Sequence, residues 1–144
     1  MSAKPELLLQ ADAEVGEGPI FLGSSLLWVD IPVGKIHKTN LESLQTETIT
    51  LETQVGAVAP FEGDQNFAVA CKEGFAILAD GELDIRDPFL GDSNYRMNDA
   101  KCDALGRFWE RSGGATTLTA EQVCYGPGSP GRVFKLDEDS VITR

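Results

Sequence analysis

The sequence predicts an all-β fold of the propeller type, with about three four-stranded units. Short runs rich in β-branched and aromatic residues alternate along the chain with turn-forming residues. Trp28, Phe67 and Trp109 occupy equivalent second-strand positions that are 39 and 42 residues apart. This period is close to the ~40–45 residues of one propeller blade. A β-sandwich made of similar short strands is the alternative.

The first unit follows a stretch, residues 7–15, that can form one strand. Glycines on both sides of Glu17 and a proline at position 19 then predict a loop in which this carboxylate has no packing partner. Four strands follow, separated by turn formers, at residues 20–22, 26–31, 35–38 and 46–51.

The same pattern occurs twice more along the chain. Strands of the second unit are predicted at residues 55–60, 67–70, 75–78 and 83–85, and those of the third at 97–102, 107–109, 132–136 and 141–143. Between the second and third strands of the last unit, residues 110–131 are rich in glycine and proline and predict a loop with one helical turn at 119–122. This loop is either a lid or interface at one end of the propeller or a surface insertion.

The composition indicates one globular domain over residues 1–144, with 42% hydrophobic residues. A net charge of −11, from 23 acidic and 12 basic residues, opposes binding to nucleic acid or to an anionic membrane. The three cysteines form no CxxC pair, which favours reduced thiols. The N-terminal apolar run of three leucines is too short for a signal peptide or a membrane span. We therefore expect a cytoplasmic protein.

A polar cluster precedes the second strand of the third unit. Arg96, Asn98 and Asp99 lie at its start, Asp103 and Gly106 predict a turn, and residues 108–109 open a buried strand. Polar groups that project from the end of a packed strand are often functional. The structural alternative is that Arg96 and Asp99 pair at the surface while Asn98 completes its own turn.

Two further residues are given structural roles. His37, the only histidine, alternates with Ile36 in a strand and is not expected to be catalytic. Cys102 is expected to face the core as a small apolar side chain.

The run from Arg96 to Trp109, Arg-x-Asn-Asp-x-Lys-x-Asp-x-x-Gly-Arg-Phe-Trp, resembles the signature of the SMP-30/gluconolactonase family, which includes regucalcin. The Glu-Gly-Pro at 17–19 ahead of Trp-Val-Asp-Ile at 28–31 is similar as well. The resemblance implies a six-bladed β-propeller that hydrolyses sugar lactones with one divalent metal on the propeller axis. By this resemblance, Glu17 would be a metal ligand, and Arg96 and Asn98 would contact the substrate. Without it, Glu17 is a solvated turn residue.

The metal implied by the resemblance is a hard divalent cation. Carboxylate and amide oxygens suit Ca²⁺ first, with Zn²⁺, Mg²⁺ and Mn²⁺ as alternatives. In the family's mechanism the metal polarises the lactone carbonyl and a carboxylate activates water. The family's later ligands, an asparagine and an aspartate proposed as the general base, have no counterpart here, so the catalytic residues stay unidentified. Residues 110–113 and Phe21 also depart from the family pattern.

The resemblance therefore makes this chain about half of a six-bladed propeller. Two copies joined head to tail would rebuild six blades, with a metal bridged by Glu17 of each copy. The function expected is that of a metal-dependent sugar-lactone hydrolase acting on a small-molecule lactone, with activity that depends on the homodimer. The alternative is a non-catalytic propeller fragment or a cation- or ligand-binding module that lacks the C-terminal catalytic residues.

Overall fold

The computed structural model describes residues 4–61, 65–87, 95–104, 106–114 and 133–136, and within these ranges all regular structure is β. The strands are β1 (Gly16–Leu22), β2 (Ser25–Asp30), β3 (Lys35–Asn40), β4 (Thr46–Thr50), β5 (Val55–Phe61), β6 (Asn66–Cys71), β7 (Phe75–Ala79), β8 (Glu82–Asp87), β9 (Tyr95–Cys102), β10 (Phe108–Gly114) and β11 (Val133–Leu136). In these ranges no helix is long and apolar enough to cross a membrane.

Consecutive strands pair antiparallel into three sheets. Sheet 1 contains β1 to β4, sheet 2 contains β5 to β8, and sheet 3 contains β9 to β11, each in chain order. Four predicted strands are therefore found in sheet 1 and four in sheet 2. The predicted strand at 141–143 lies outside the described residues.

Three boundary predictions are wrong. Residues 7–15 form no strand, because the backbone N–H groups of Glu14 and Val15 donate to the side chain of Asp30 and not to a neighbouring strand. The predicted loop around Glu17 belongs to β1, because Gly18 adopts a φ of +61° and absorbs an extra residue in the pairing. Residues 110–114 continue β10 beside β9 instead of starting a loop, and residues 115–131 lie outside the described ranges.

Sheet 2 is the centre of the hydrophobic core. Along its strands, alternate side chains enter two clusters, because successive residues of a strand face opposite sides. Val58, Phe67 and Val69 pack towards Leu27 and Val29 of sheet 1. Burying each such side chain contributes roughly 1.5–3 kcal/mol.

The opposite face of sheet 2 packs on sheet 3 through smaller residues. Ala57, Ala68 and Ala70 lie there with Phe75, whose ring is 5.8 Å from that of Phe108 in β10. Small side chains let the two sheets approach closely, and the two phenylalanines fill the remaining space. The three sheets thus stack in chain order, with sheet 2 in the middle.

The first strand of each sheet lies on the same side of this stack. β5 contacts both β1 and β9, and β1 also contacts β9. β5 and β9 come very close at Gly56, where an added Cβ would lie 2.5 Å from the backbone carbonyl oxygen of Asn98. The fold therefore brings together strands that are far apart in the sequence.

Candidate functional site

Each of the three converging strands carries an irregularity in its pairing near its start. In β1 the register shifts between Glu17 and Ile20, in β5 it shifts across Gly56, and in β9 the pairs at Met97 and Asp99 leave Asn98 as the extra residue. A bulge bends its strand and redirects the side chain at that position, and bulges are common beside active sites. The bulged ends of β1, β5 and β9 define the candidate site.

Glu17 and Arg96 come close enough in this site to interact through their charges. Burial lowers the pKa of the Arg96 guanidinium, and the negative charge of Glu17 partly offsets that lowering. Glu17 itself is exposed, whereas Arg96 is half-buried. The two residues are separated by 79 positions in the sequence, so only the convergence of β1 and β9 explains their approach.

One nitrogen of Arg96 is buried without an acceptor. Its Nη1 has no hydrogen-bond partner among the described residues. An unsatisfied donor on a buried charged group typically costs more than the ~1–3 kcal/mol of a neutral one. A ligand oxygen placed there would remove this cost, and unlike Arg86, which also has a buried nitrogen without an acceptor among the described residues, Arg96 lies among the three bulged strand ends.

Asn98 lies at the bulge of β9, two residues after Arg96. Its side chain is half-buried and takes part in contacts. The backbone carbonyl oxygen of Asn98 lies close to Gly56. Gly56 was not predicted as part of the site from the sequence. A glycine inside the apolar run 55–59 is the signal that could have found it, since glycine within a strand marks a bulge or a close backbone approach.

The described residues do not form a metal site made of acidic, histidine and cysteine side chains alone. No group of three or more His, Cys, Asp or Glu side chains comes together within the described ranges. Glu17 offers one carboxylate, and its neighbour Arg96 carries a positive charge that opposes a cation. Any metal at Glu17 would need further ligands, such as amide or backbone carbonyl oxygens, water, or side chains from outside these ranges.

His37 and Cys102, which were given structural roles from the sequence, lie outside this site. His37 stacks on Trp28 with ring centroids 4.0 Å apart, its Nδ1 lies 2.8 Å from Thr48 Oγ1, and burial lowers its pKa. Cys102 is exposed, so its expected core position is wrong: it ends β9, beyond the Met97 and Ala100 side chains that pack on sheet 2.

The predicted turn at Asp103 and Gly106 is present. The Asp103 carboxylate accepts hydrogen bonds from Arg107 N–H at 3.1 Å, from Arg107 Nε at 2.6 Å and from Trp109 Nε1 at 2.8 Å. Gly106 has a φ of +78° and donates its N–H to the Asp103 carbonyl. These residues of the motif therefore hold the β9–β10 hairpin together and lie at the opposite end of β9 from Arg96.

Comparisons with known proteins point to the family that the sequence motif resembles. A model of the SMP-30/Gluconolactonase/LRE-like region matches residues 15–144. The chain is 34% identical over 124 residues to a Bacillus subtilis (strain 168) protein named "Putative sugar lactone lactonase YvrE", covering 81% of this chain and 41% of that protein. It is 32% identical over 119 residues to regucalcin of Sus scrofa, covering 75% of this chain and 38% of that protein.

A solved structure shows the same fold. Regucalcin from Agrobacterium tumefaciens strain C58, described as a calcium-binding protein, aligns with a TM-score of 0.73 and 22% identity over 90% of this chain and 42% of that one. The likeness supports the predicted propeller-like β fold. The chain spans about two fifths of the length of the relatives it matches.

Proposed function

Because the chain belongs to the SMP-30/gluconolactonase/LRE-like family, we propose that it takes part in sugar-lactone hydrolysis and that Arg96 and Asn98 hold the lactone. The observation that carries this proposal is the buried Nη1 of Arg96, which has no acceptor among the described residues. The hydroxyl and ring oxygens of a sugar lactone are acceptors, and a guanidinium donates to such oxygens in fixed directions. Asn98, with an amide that donates and accepts, lies on the same strand.

Glu17 is proposed as one ligand of a divalent cation. Its carboxylate suits Ca²⁺ first, and also Mg²⁺, Mn²⁺ or Zn²⁺. The described residues contain no acidic, histidine or cysteine cluster. The other ligands would therefore be amide or backbone carbonyl oxygens, water, or side chains from outside the described ranges. We therefore assign no catalytic step to a metal on the described residues alone, and the general base stays unassigned.

The three sheets are proposed to be three blades, forming one domain that is half of a six-bladed propeller. Sheet 1 packs on sheet 2 through one face only. Phe21 lies on the other face, and 67% of it is exposed. In the part of residues 4–15 before β1, Leu7 and Leu8 are 75% and 51% exposed. An open sheet face with large exposed apolar side chains is typical of a surface that another element covers. We propose that the sheets of a second copy cover it, so that the active form is a homodimer. We also propose a cytoplasmic location, in line with three cysteines that form no CxxC pair.

The alternative function is that of a binding module without activity. Among the described residues no acidic, histidine or cysteine cluster accompanies Glu17, which favours the binding module, since a metal site needs more ligands than Glu17. Lactone binding without hydrolysis would identify this case.

The test uses the full chain and D-glucono-1,5-lactone, with Ca²⁺ or with a chelator. Arg96→Met should weaken lactone binding by about 10- to 100-fold, the range expected for lost hydrogen bonds to a charged group of roughly 1.5–3 kcal/mol. It should not destabilise the fold, because it removes a buried nitrogen that lacks an acceptor. Arg86→Met is the matched control, since Arg86 also has a buried Nε without an acceptor among the described residues, but pairs with Asp84 at 3.0 Å.

The proposal fails if the wild-type chain does not bind the lactone, or if Arg96→Met binds it as well as Arg86→Met does. Calorimetry measures binding and a pH-stat assay measures hydrolysis, so that the enzyme and the binding module are distinguished on one sample.

A further inference from the structure

Asp30, the last residue of β2, is a buried carboxylate outside the residues predicted for the site. Only 3% of it is exposed. Its Oδ2 accepts the backbone N–H of Glu14 at 3.0 Å, and its Oδ1 accepts that of Val15 at 2.8 Å. Each carboxylate oxygen therefore receives one charge-assisted hydrogen bond from the segment that leads into β1.

The two donors lie immediately before Gly16 and Glu17. The backbone around Asp30 holds the same segment, because Ile31 donates its N–H to the Val15 carbonyl at 3.1 Å and Gly16 pairs with Asp30 itself. After Glu17, the register shifts through Gly18 with its φ of +61°. Glu17 thus sits between a fixed segment on one side and a bulge on the other.

This arrangement links Asp30 to the backbone segment that carries Glu17. A bulge leaves its strand free to bend, so the course of the backbone at Glu17 is set by what holds the residues before it. Burying a carboxylate is costly unless it is well hydrogen-bonded. The backbone bonds at Gly16 and Val15 hold the start of β1 in addition to this side chain.

We infer that Asp30 is a positioning residue that aims Glu17 towards Arg96 in the candidate site. The inference rests on the proposed role of Glu17 and adds a residue to it. Asp30 does not touch the ligand, and it acts by fixing the backbone at residues 14–17 through its two carboxylate oxygens.

The first test variant is Asp30→Asn, which has the same shape but places an NH₂ group against one of the two N–H donors. One hydrogen bond is lost, and amide exchange at Glu14 or Val15 should become about tenfold faster. The Glu17 side-chain carboxyl resonance, measured by NMR at fixed pH, should shift. Lactone affinity should fall by about tenfold.

Asp103→Asn is the matched control. Asp103 is likewise a carboxylate that accepts from a backbone N–H, but it holds the β9–β10 turn away from Glu17. This variant should lower thermal stability while the Glu17 resonance and the exchange of residues 14–17 stay as in the wild type. If Asp30→Asn does not fold, Glu14→Pro deletes one donor while keeping Asp30 and should shift the Glu17 resonance in the same way.

An unshifted Glu17 resonance in folded Asp30→Asn overturns the inference and leaves Asp30 a purely structural residue. An equal shift in Asp103→Asn does the same, since the effect is then not specific. These two readouts do not depend on lactone binding, so a wild-type chain that binds no lactone refutes the proposed function while the role of Asp30 is still decided.

Discussion

Replacing Gly56 with alanine should damage both the fold and the site, because Gly56 lies where β5 and β9 approach. The added Cβ would lie 2.5 Å from the Asn98 carbonyl oxygen and even closer to that of Met97. Ordinary contacts of a Cβ begin at 3.4 Å, so the two strands must separate by roughly 1 Å. Both obstacles are backbone atoms, which cannot rotate away as the end of a side chain can.

The cost follows from the packing that this separation disturbs. Moving β9 away from β5 opens the interface that contains Met97 and Ala100, and a gap of that size loses a quarter to a half of the contact energy of the lining atoms. Overpacking of this kind costs about 1–3 kcal/mol, and the backbone contacts favour the upper end, about 2–3 kcal/mol. For a chain of 144 residues this lowers the melting temperature by roughly 5–10 °C.

Gly16→Ala is the matched control for Gly56→Ala. Gly16 is also on the first strand of a sheet, but its added Cβ would meet Ala13 and Trp28 at an ordinary 3.7 Å. It should change stability by less than about 1 kcal/mol. Urea denaturation followed by tryptophan fluorescence measures both variants. Equal stabilities of Gly56→Ala and Gly16→Ala would refute the close approach of β5 and β9.

The remaining predictions concern assembly and thiol reactivity. The wild-type chain should have the mass of a dimer by light scattering. Phe21→Lys, on the open face of sheet 1, should be monomeric, whereas Leu44→Lys, in the β3–β4 turn, should stay dimeric. A monomeric wild type contradicts the closed ring, and a dimer whose mass does not change with a chelator contradicts a bridging metal. At pH 8 an aromatic disulfide reagent should modify Cys102 in the native protein and Cys71 only after denaturation. Burial raises the pKa of Cys71 to about 11, and its thiol donates to the Gly74 carbonyl at 3.1 Å. Label found on Cys71 by peptide mapping of the native protein would contradict this prediction.

The strands of sheet 2 were predictable because their sequence pattern is strong. Residues 67–71 and 75–78 are continuously apolar, as expected for strands buried on both faces, and both are strands in the structure. Hairpin turns with glycine, such as the one at Gly106, were also predicted, since a positive φ favours that residue.

The errors arose where side chains replace strand pairing. Residues 7–15 have the composition of a strand, but the Asp30 carboxylate takes the N–H groups of Glu14 and Val15. Local propensity does not include such contacts, because the paired residues are separated by 16 and 15 positions in the sequence. Glu17 was expected in a loop because Gly-Glu-Gly-Pro contains turn formers, whereas a single bulge suffices to keep these residues in β1.

The residues of the candidate site could be predicted from the sequence, but their arrangement in space could not. Glu17, Arg96 and Asn98 were chosen from a family pattern, and no periodicity within either strand relates position 17 to position 96. Their approach depends on how far sheet 2 separates sheets 1 and 3, and this distance is set by the alanines of β5 and β6 and by the missing side chain at Gly56. Larger residues on that face of sheet 2 would move β9 away from β1 and weaken the charge interaction between Arg96 and Glu17. The packing of the central sheet therefore determines the geometry of the site, although none of the proposed ligand-contacting residues belongs to it.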